Sequence, residues 1–326
     1  MALKQEVQRI LSENQGSSIS GERMAEQLSV SRNAIWKAIK ALQAEGVEIL
    51  AVTNKGYCLS EKNDILTVSG IKSHLKRYNE KLTIEIRDLV SSTNTVLKEM
   101  AENGMPEGHI LIAKEQTAGK GRKGRKFFSP KDGSLYMSVL LRPQIRMEEA
   151  LFITTAAAVS VARAVEDTSG KVPAIKWVND IFLNEKKICG ILTEASVNME
   201  TGFPAYAVLG IGVNIYPPRD GMPKELGPIA GTVFNSFYEG GNNYGNRLAA
   251  EILNYFFEYY ENLTQKTFMG EYQRRSFLTG RTVTYVSGNV KRRITVLGID
   301  DNAGLIAETE DGERIILDSG EVSVKL

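Results

Sequence analysis

The chain is 326 residues long, 42% hydrophobic and 24% charged. At roughly 150 residues per domain this length predicts two domains or slightly more, and the composition excludes a disordered or collagen-like chain. Forty basic against thirty-nine acidic residues leave a formal charge of +1, so bulk charge does not advertise nucleic acid and any such site must come from local clustering.

The opening MALKQEVQRI mixes polar and apolar residues and lacks the apolar core of a signal peptide. Val7, Ile10 and Leu11 stand at helical spacing and predict a first helix. Met24, Ala25 and Leu28 predict a second, and Ile35, Ala38, Ile39 and Leu42 a third, with Ser31 as its N-cap. Only Ser29, Val30 and Ser31 separate the last two, room for no more than a tight helix–turn–helix corner. Val47, Ile49 and Ala51 then alternate as a strand, Thr53-Asn54-Lys55-Gly56 turns the chain, and Tyr57 and Leu59 return it. Three helices and a hairpin make the winged-helix pattern. The third helix carries Arg32, Lys37 and Lys40 beside polar Ser31 and Asn33, cations for phosphates and short polar groups for base edges. With Lys55 of the hairpin, these are the candidate DNA contacts. The plainer reading is a solvated helix face in a small interaction domain.

Strand-like runs at 83–90, 109–114, 134–141, 174–178, 181–183, 189–193 and 206–215 follow. Helical patterns at 93–103, 147–168 and 246–263 lie among them, so the middle of the chain predicts an α+β domain on one mixed or antiparallel sheet. Its most apolar stretch, 150–165, is interrupted by Thr154, Thr155, Ser160 and Arg163 and reads as a buried helix, not a membrane span. Cys58 and Cys189 have no CxxC spacing, and His74 and His109 are the two histidines. A disulfide framework and a multi-histidine metal site are therefore not expected, no metal-ligating residue is assigned, and a reducing cytoplasm fits. From residue 281 onward, short strands at 281–286, 290–299, 304–309 and 313–318 alternate with tight turns. They predict a small β-barrel, docked on the middle domain because it is marginal alone.

The stretch QTAGKGRKGRKFFSP, residues 116–130, is the most unusual. Gly119, Gly121 and Gly124 fit G-x-G-x-x-G after a strand, but Phe127, Phe128, Ser129 and Pro130 break the helix that a dinucleotide fingerprint must open. A P-loop fails too, since Arg125-Lys126 stands where Lys-Ser/Thr is needed. What remains is a loop with Lys120, Arg122, Lys123, Arg125 and Lys126 among glycines, whose N–H groups and cations suit a polyphosphate. It reads as a lid that orders around an anion, against the plainer reading of a solvated arm.

A second run, Lys176-Trp177-Val178-Asn179-Asp180, sets polar groups into an apolar strand–turn–strand, where they must be paired or functional. Lys187 faces the same region on the return strand, just before Cys189 and Gly190. Further on, Gly210, Gly212 and Asn214 punctuate AVLGIGVNI, which suggests close approach of a flat ligand or another backbone.

Taken together these motifs resemble the bifunctional biotin–protein ligase and biotin operon repressor family. They are Ser92-Thr93-Asn94, the 119–125 loop ending in Ser129-Pro130, the 176–180 run, the 187–190 run and the 210–214 strand. The resemblance covers nearly the whole chain. It implies a winged-helix DNA-binding domain over 1–62, a ligase domain on a mixed sheet over 63–278 and an SH3-like β-barrel over 279–326. The sequence departs from the family pattern at Lys120, where the first Gly-Arg-Gly unit usually has arginine, at Phe127 in place of tryptophan and at Val178 in place of proline. Lys120 keeps the charge but not bidentate phosphate recognition. The family's adenine-side tryptophan has no counterpart that can be identified.

Residue by residue, the resemblance implies that Ser92, Thr93, Asn94 and Gln116 contact or border the biotin ureido ring. Lys120, Gly121 and Arg122 close over biotin and adenylate, and Lys187, beside Gly190, binds the biotin carboxylate and the reacting phosphate. Lys120, Arg122, Arg125, Lys176, Asn179 and Asn214 lie on the ATP side, while Asn179 and Asp180 position ATP or Mg2+ and the incoming lysine. Arg122, Lys187 and Asp180 are the catalytic candidates. The reaction needs no protein nucleophile: a carboxylate attacks the α-phosphate, and preorganised cations answer the growing charge. The implied partners are a biotin carboxyl carrier protein lysine, operator DNA and, once adenylate accumulates, a second copy in a homodimer. Rival readings are a non-catalytic ligand-sensing repressor, which has no use for a phosphate-cradling lid, and a lipoate–protein ligase.

Overall fold

The computed structural model describes residues 3–14, 17–44, 47, 49–53, 55–60, 65–78, 80–198, 200, 202–236, 239, 243–287, 290–318 and 321–323. Asn54 of the expected turn and the 62/63 boundary lie outside them. The chain forms two compact units, Met1–His74 with Gly240–Arg247, and Leu75–Glu239 with Leu248–Leu326.

In the first unit, helices α1 (Leu3–Glu13), α2 (Gly21–Leu28) and α3 (Arg32–Ala44) pack around Val7, Leu11, Met24, Ile35, Ile39 and Leu42. Both later helices have serine N-caps: Ser20 Oγ accepts from Arg23 N at 3.1 Å and Ser31 Oγ from Ala34 N at 3.2 Å. Ser29 supplies the left-handed turn between them, with φ 53°. Strands β1 (Ile49–Val52) and β2 (Gly56–Leu59) form an antiparallel hairpin. Tyr57 exchanges backbone hydrogen bonds with Ile19 at 2.8 and 2.9 Å. At Gly56, φ is +103° and a Cβ would stand 2.2 Å from the Ile19 carbonyl oxygen, so only glycine allows this approach. A short helix α4 (Val68–His74), absent from the sequence reading, follows.

The second unit holds a seven-stranded sheet of β3 (Thr83–Arg87), β4 (His109–Ala113), β5 (Ser134–Leu141), β6 (Ala174–Lys176), β7 (Asp180–Leu183), β8 (Lys186–Val197) and β9 (Pro204–Asn214). Their order is β3-β4-β5-β9-β8-β7-β6, parallel between β3 and β4 and antiparallel elsewhere, so the sheet is mixed. Helix α5 (Thr93–Glu102) makes the crossover between β3 and β4 and buries Leu97 and Ala101 against Leu111, Leu140 and Val208. Helix α6 (Leu151–Ser169), apolar nearly all round, lies on the opposite face, where Thr154 Oγ1 meets Thr193 Oγ1 at 2.7 Å. Helices α7 (Tyr244–Tyr260) and α8 (Met269–Arg274) complete the unit's core with Phe256, Phe268 and Tyr272. No helix among the described residues is long and apolar enough to cross a membrane.

The C-terminal strands β10 (Thr282–Ser287), β11 (Val290–Ile299), β12 (Leu305–Thr309), β13 (Arg314–Leu317) and β14 (Glu321–Ser323) form a second, antiparallel sheet. Its order is β13-β12-β11-β10-β14, and among the described residues no pairing joins its two edges. The expected all-β ending is present; the described residues do not show closure into a barrel.

Candidate active site and nucleic-acid face

In the second unit a cavity of about 440 Å³ opens on the face of the large sheet that α5 half covers. Its base is a run of glycines on the two central strands. Gly190 of β8 lies directly opposite Gly212 of β9, and Leu192 opposite Gly210. A Cβ on Gly212 would stand 2.6 Å from the Phe127 ring, and one on Gly210 would stand 2.2 Å from Asn94 Oδ1. The flat group expected against these glycines is therefore Phe127 of the chain itself, and the second intruder is the Asn94 amide. The sequence showed that something must approach closely, not that the chain supplies it.

One wall is built by the first turn of α5 and the strand β5. Gln116 Oε1 accepts from Thr93 N at 2.8 Å and lies 3.2 Å from Thr93 Oγ1, while Gln116 Nε2 donates to Ser129 Oγ at 2.9 Å. Ser138 Oγ stands 2.7 Å from both Thr93 Oγ1 and Asn94 Oδ1. Ser92, Thr93 and Asn94 are all buried, and all three border the cavity with Gln116. Buried polar groups need such partners, and Thr93 and Asn94 find theirs in one connected set with Gln116 and Ser138.

The basic loop is a tight hairpin. Lys120 and Lys126 bridge, Gly121 N donates to Arg125 O at 2.7 Å, and Lys123 and Gly124 turn the tip with φ of 53° and 73°. At its root, a Cβ on Gly119 would stand 2.5 Å from both Phe127 O and Ser129 Oγ. Arg122 Nη1 donates to Asn179 Oδ1 at 3.0 Å. That bond latches the loop to the 176–180 run, the two most unusual stretches of the sequence.

The 176–180 run is a β6–β7 turn clamped from two sides. Trp177, 5% exposed, donates from Nε1 to Ala303 O at 2.7 Å, and buried Tyr272 donates from its hydroxyl to Val178 O at 2.9 Å. Asn179 Nδ2 donates to Ile191 O at 2.7 Å. Lys176 pairs with Asp180 in register, and its Nζ lies 5.5 Å from the Phe182 ring centre. Asp180 Oδ1 sits 2.7 Å from Lys187 Nζ, a partly buried ion pair in which that oxygen receives no directed hydrogen bond. Asn214 Nδ2 donates to Gly231 O at 3.1 Å and so ties down the 229–234 segment.

Every residue to which the sequence gave a biotin, ATP or catalytic role borders this one cavity. Among the described residues, Lys120, Arg122, Arg125, Lys126, Lys176 and Lys187 line it against two acids, Asp180 and Glu185. An excess of cations in a half-enclosed site attracts a polyanion. The Cys189 thiol also borders it, but burial pushes its pKa far up, so it offers no thiolate. Among the described residues no group of three or more metal-ligating side chains occurs. One or two carboxylates do fit a magnesium ion that arrives on a polyphosphate and keeps most of its ligands from phosphate and water. Sequence reasoning missed the apolar rim of Met222, Leu226 and Ile229, with Phe277 and Val322 from the C-terminal part. The 217–230 stretch has no periodicity that would have marked it.

In the first unit, Arg32, Asn33, Lys37 and Lys40 lie exposed on one face of α3, centred on Trp36, which is 49% exposed and was not singled out from the sequence. Arg32, Asn33 and Trp36 border a groove with Lys55 and Tyr57 of the hairpin. The Ser31 hydroxyl is engaged as the α3 cap. Glu22 is the acid of this groove.

Residues 86–214 match the family model described as the biotin/lipoate A/B protein ligase family, residues 4–58 that of an HTH domain, and residues 280–325 that of a biotin protein ligase C terminal domain. A bifunctional ligase/repressor BirA of Bacillus spizizenii is 33% identical over 319 residues, 96% of each chain. Its namesake in Escherichia coli is 28% identical over 314 residues, 95% of this chain and 94% of the other. Among solved structures, the biotin protein ligase from Aquifex aeolicus in complex with biotin and ATP superposes with a TM-score of 0.62 at 26% identity. It covers 74% of this chain and 97% of its own.

Proposed function

Since the chain belongs to the biotin/lipoate A/B protein ligase family, in the form that joins a ligase to a repressor, we propose that it activates biotin with ATP, transfers it to a protein lysine and represses transcription when the activated intermediate persists. The observation that carries this reading is one cavity lined together by the polar wall around Asn94, by six cations and by the glycines of its base. Thr93, Asn94 and Gln116 hold the ureido ring. Lys187 holds the biotin carboxylate, and Arg122, Lys120 and Arg125 hold the triphosphate. The carboxylate oxygen attacks the α-phosphorus, the bond to the bridging oxygen breaks, and pyrophosphate leaves. Cations already in place lower the barrier because they need no reorganisation as charge moves onto the phosphoryl oxygens. Asp180 would hold a magnesium ion brought in on the triphosphate, which when bound neutralises phosphate charge.

The product is biotinyl-5′-adenylate, a mixed anhydride that water would destroy. The 120–126 hairpin, latched through Arg122 to Asn179, covers it. The acceptor is a lysine of a biotin carboxyl carrier protein; its amine must be neutral to attack, and Asp180 accepts its proton or orients it. AMP then leaves. The Arg32, Asn33, Trp36, Lys37 and Lys40 face, with Lys55, reads operator DNA, and two copies dimerise to present two such faces to a palindrome. Ligand can drive that step only if the dimer binds adenylate better than the monomer does. The domains run over 1–62, 63–278 and 279–326, the last an SH3-like fold, and the protein acts in the cytoplasm.

Biotin-dependent ATP–pyrophosphate exchange, with lipoate and no-acid controls, tests the reading. Exchange with biotin alone is expected. Exchange with lipoate alone would convert the protein to a lipoate ligase, and exchange with neither would leave a ligand-sensing repressor without catalysis.

A further inference from the structure

Glu194 on β8 does not border the cavity, yet it closes the hydrogen-bond set that does. Its Oε2 accepts from Asn94 Nδ2 at 2.9 Å, and its Oε1 accepts from Lys98 Nζ at 3.0 Å. Asn94 and Lys98 sit one turn apart on α5, so both reach the same carboxylate. The second Asn94 amide proton goes to Leu192 O at 3.2 Å. Burial raises the Glu194 pKa, but the hydrogen bonds from Asn94 and Lys98 and the charges of Lys98 and Lys120 outweigh it, so the carboxyl is held below its ordinary value and stays ionised.

Counting protons fixes the direction of every dipole in the chain. A carboxylate and a carbonyl only accept, so Asn94 must turn its NH2 to Glu194 and Leu192. With the amide reversed, Oδ1 would face both of them with no proton between. Asn94 Oδ1 therefore points to Ser138, and at 2.7 Å the Ser138 hydroxyl must donate to it. Ser138 has then spent its one proton, so Thr93 Oγ1 must donate to Ser138 across 2.7 Å and not to Gln116 Oε1 across 3.2 Å, an oxygen that already accepts from Thr93 N at 2.8 Å. Thr93 and Asn94 are left with lone pairs toward the cavity and no protons. Such a wall receives N–H donors and leaves unpaired acceptors beneath a ring that has none.

We propose that Glu194 is a positioning residue that, through Asn94, sets this wall as an acceptor and so selects a ligand ring with N–H groups. The inference rests on the biotin reading above, in which the ureido ring meets Asn94. It adds that the selection is imposed from outside the cavity by one charge.

The test is steady-state pyrophosphate exchange with Glu194→Gln, Glu194→Gln/Lys98→Met and Ser138→Ala. In Glu194→Gln the new amide cannot serve both neighbours. Oxygen toward Asn94 puts NH2 against the Lys98 ammonium, and the reverse puts donor against donor. The KM for biotin should rise about tenfold, while kcat and the KM for ATP stay within about twofold. Removing the ammonium frees the glutamine to offer its oxygen to Asn94, so the double variant should return the biotin KM to within about threefold of wild type. A merely structural role predicts no such rescue. Should Glu194→Gln not fold, Ser138→Ala cuts the same chain one link on with a smaller change and should also raise the biotin KM. An unchanged biotin KM in Glu194→Gln, an equal rise in the KM for ATP, or failure of the rescue would overturn the proposal. If the wild-type protein itself shows no biotin-dependent exchange, the biotin reading fails instead.

Discussion

Gly212→Ala is the substitution that most directly probes how the site is built. The new Cβ would stand 2.6 and 2.7 Å from Cε1 and Cζ of Phe127, where carbon atoms prefer about 3.5–4.0 Å. The ring must move by about 1 Å, and it is packed edge-on against Tyr136 at 6.4 Å between centres. Such overpacking costs about 1–3 kcal/mol. Alanine recovers about 0.5–1 kcal/mol over glycine in a strand, so a net loss of about 1–2 kcal/mol is expected. In a Phe127→Ala background the same change meets no ring, and the loss should vanish or become a small gain. The coupling is then about 2 kcal/mol. Urea unfolding of the four proteins, compared at constant m for the transition of the unit that holds the large sheet, measures it. Gly212→Ala should also lower exchange activity, because Phe127 lines the cavity and a displaced ring changes its shape. An equal cost in both backgrounds, within about 0.5 kcal/mol, would refute the contact between Phe127 and the glycines.

Arg122→Ala should reduce biotin-dependent exchange by about 10²–10³-fold, the scale for one lost charge-stabilising donor; a loss under threefold would remove Arg122 from the chemistry. Lys37→Ala should weaken operator binding evenly across DNA sequences and lower the salt slope by about 1, so a sequence-selective loss would assign Lys37 to base contact instead. In Glu271, burial raises the pKa, but hydrogen bonds and charge from Arg275 and Arg274 outweigh it and hold the carboxyl below its ordinary value of 4.5. Its contribution is therefore present above the unfolded pKa and lost as pH falls through the lower folded one. Glu271→Gln should unfold at lower urea than wild type at pH 7, with the gap closing below pH 4.5; a gap that holds at low pH would rule out the ion pair as its source.

Periodicity made most of the fold legible. The three N-terminal helices and the strand at 290–299 were readable because helical or alternating burial is written in residue order, and the strand at 134–141, buried almost throughout, showed as a nearly continuous apolar run. The cavity was half legible. Charged and polar residues inside apolar strands announced Lys176, Asn179, Asp180 and Lys187, and glycines announced close packing. What could not be read was which group approaches those glycines, since Phe127 and Gly212 meet only through the fold. Glu194 was invisible for the same reason. It looks like any strand glutamate, and its meaning lies in Asn94 standing 2.9 Å away across 100 positions of sequence. The 217–230 rim has no period, and the short α4, α8 and β14 carry too few residues to show one.

The sequence contains two tryptophans, and the fold gives one to each unit. Trp36 is 49% exposed on the basic face of α3, whereas Trp177 is 5% exposed beside the cavity, its indole N–H bound to a carbonyl. An indole in water emits to the red and is quenched by dissolved iodide; a buried one does neither. The molecule thus carries two separable optical reporters, one for what happens at α3 and one for what fills the cavity. A single unlabelled sample, read in two emission bands, can show whether the two halves respond together or in turn.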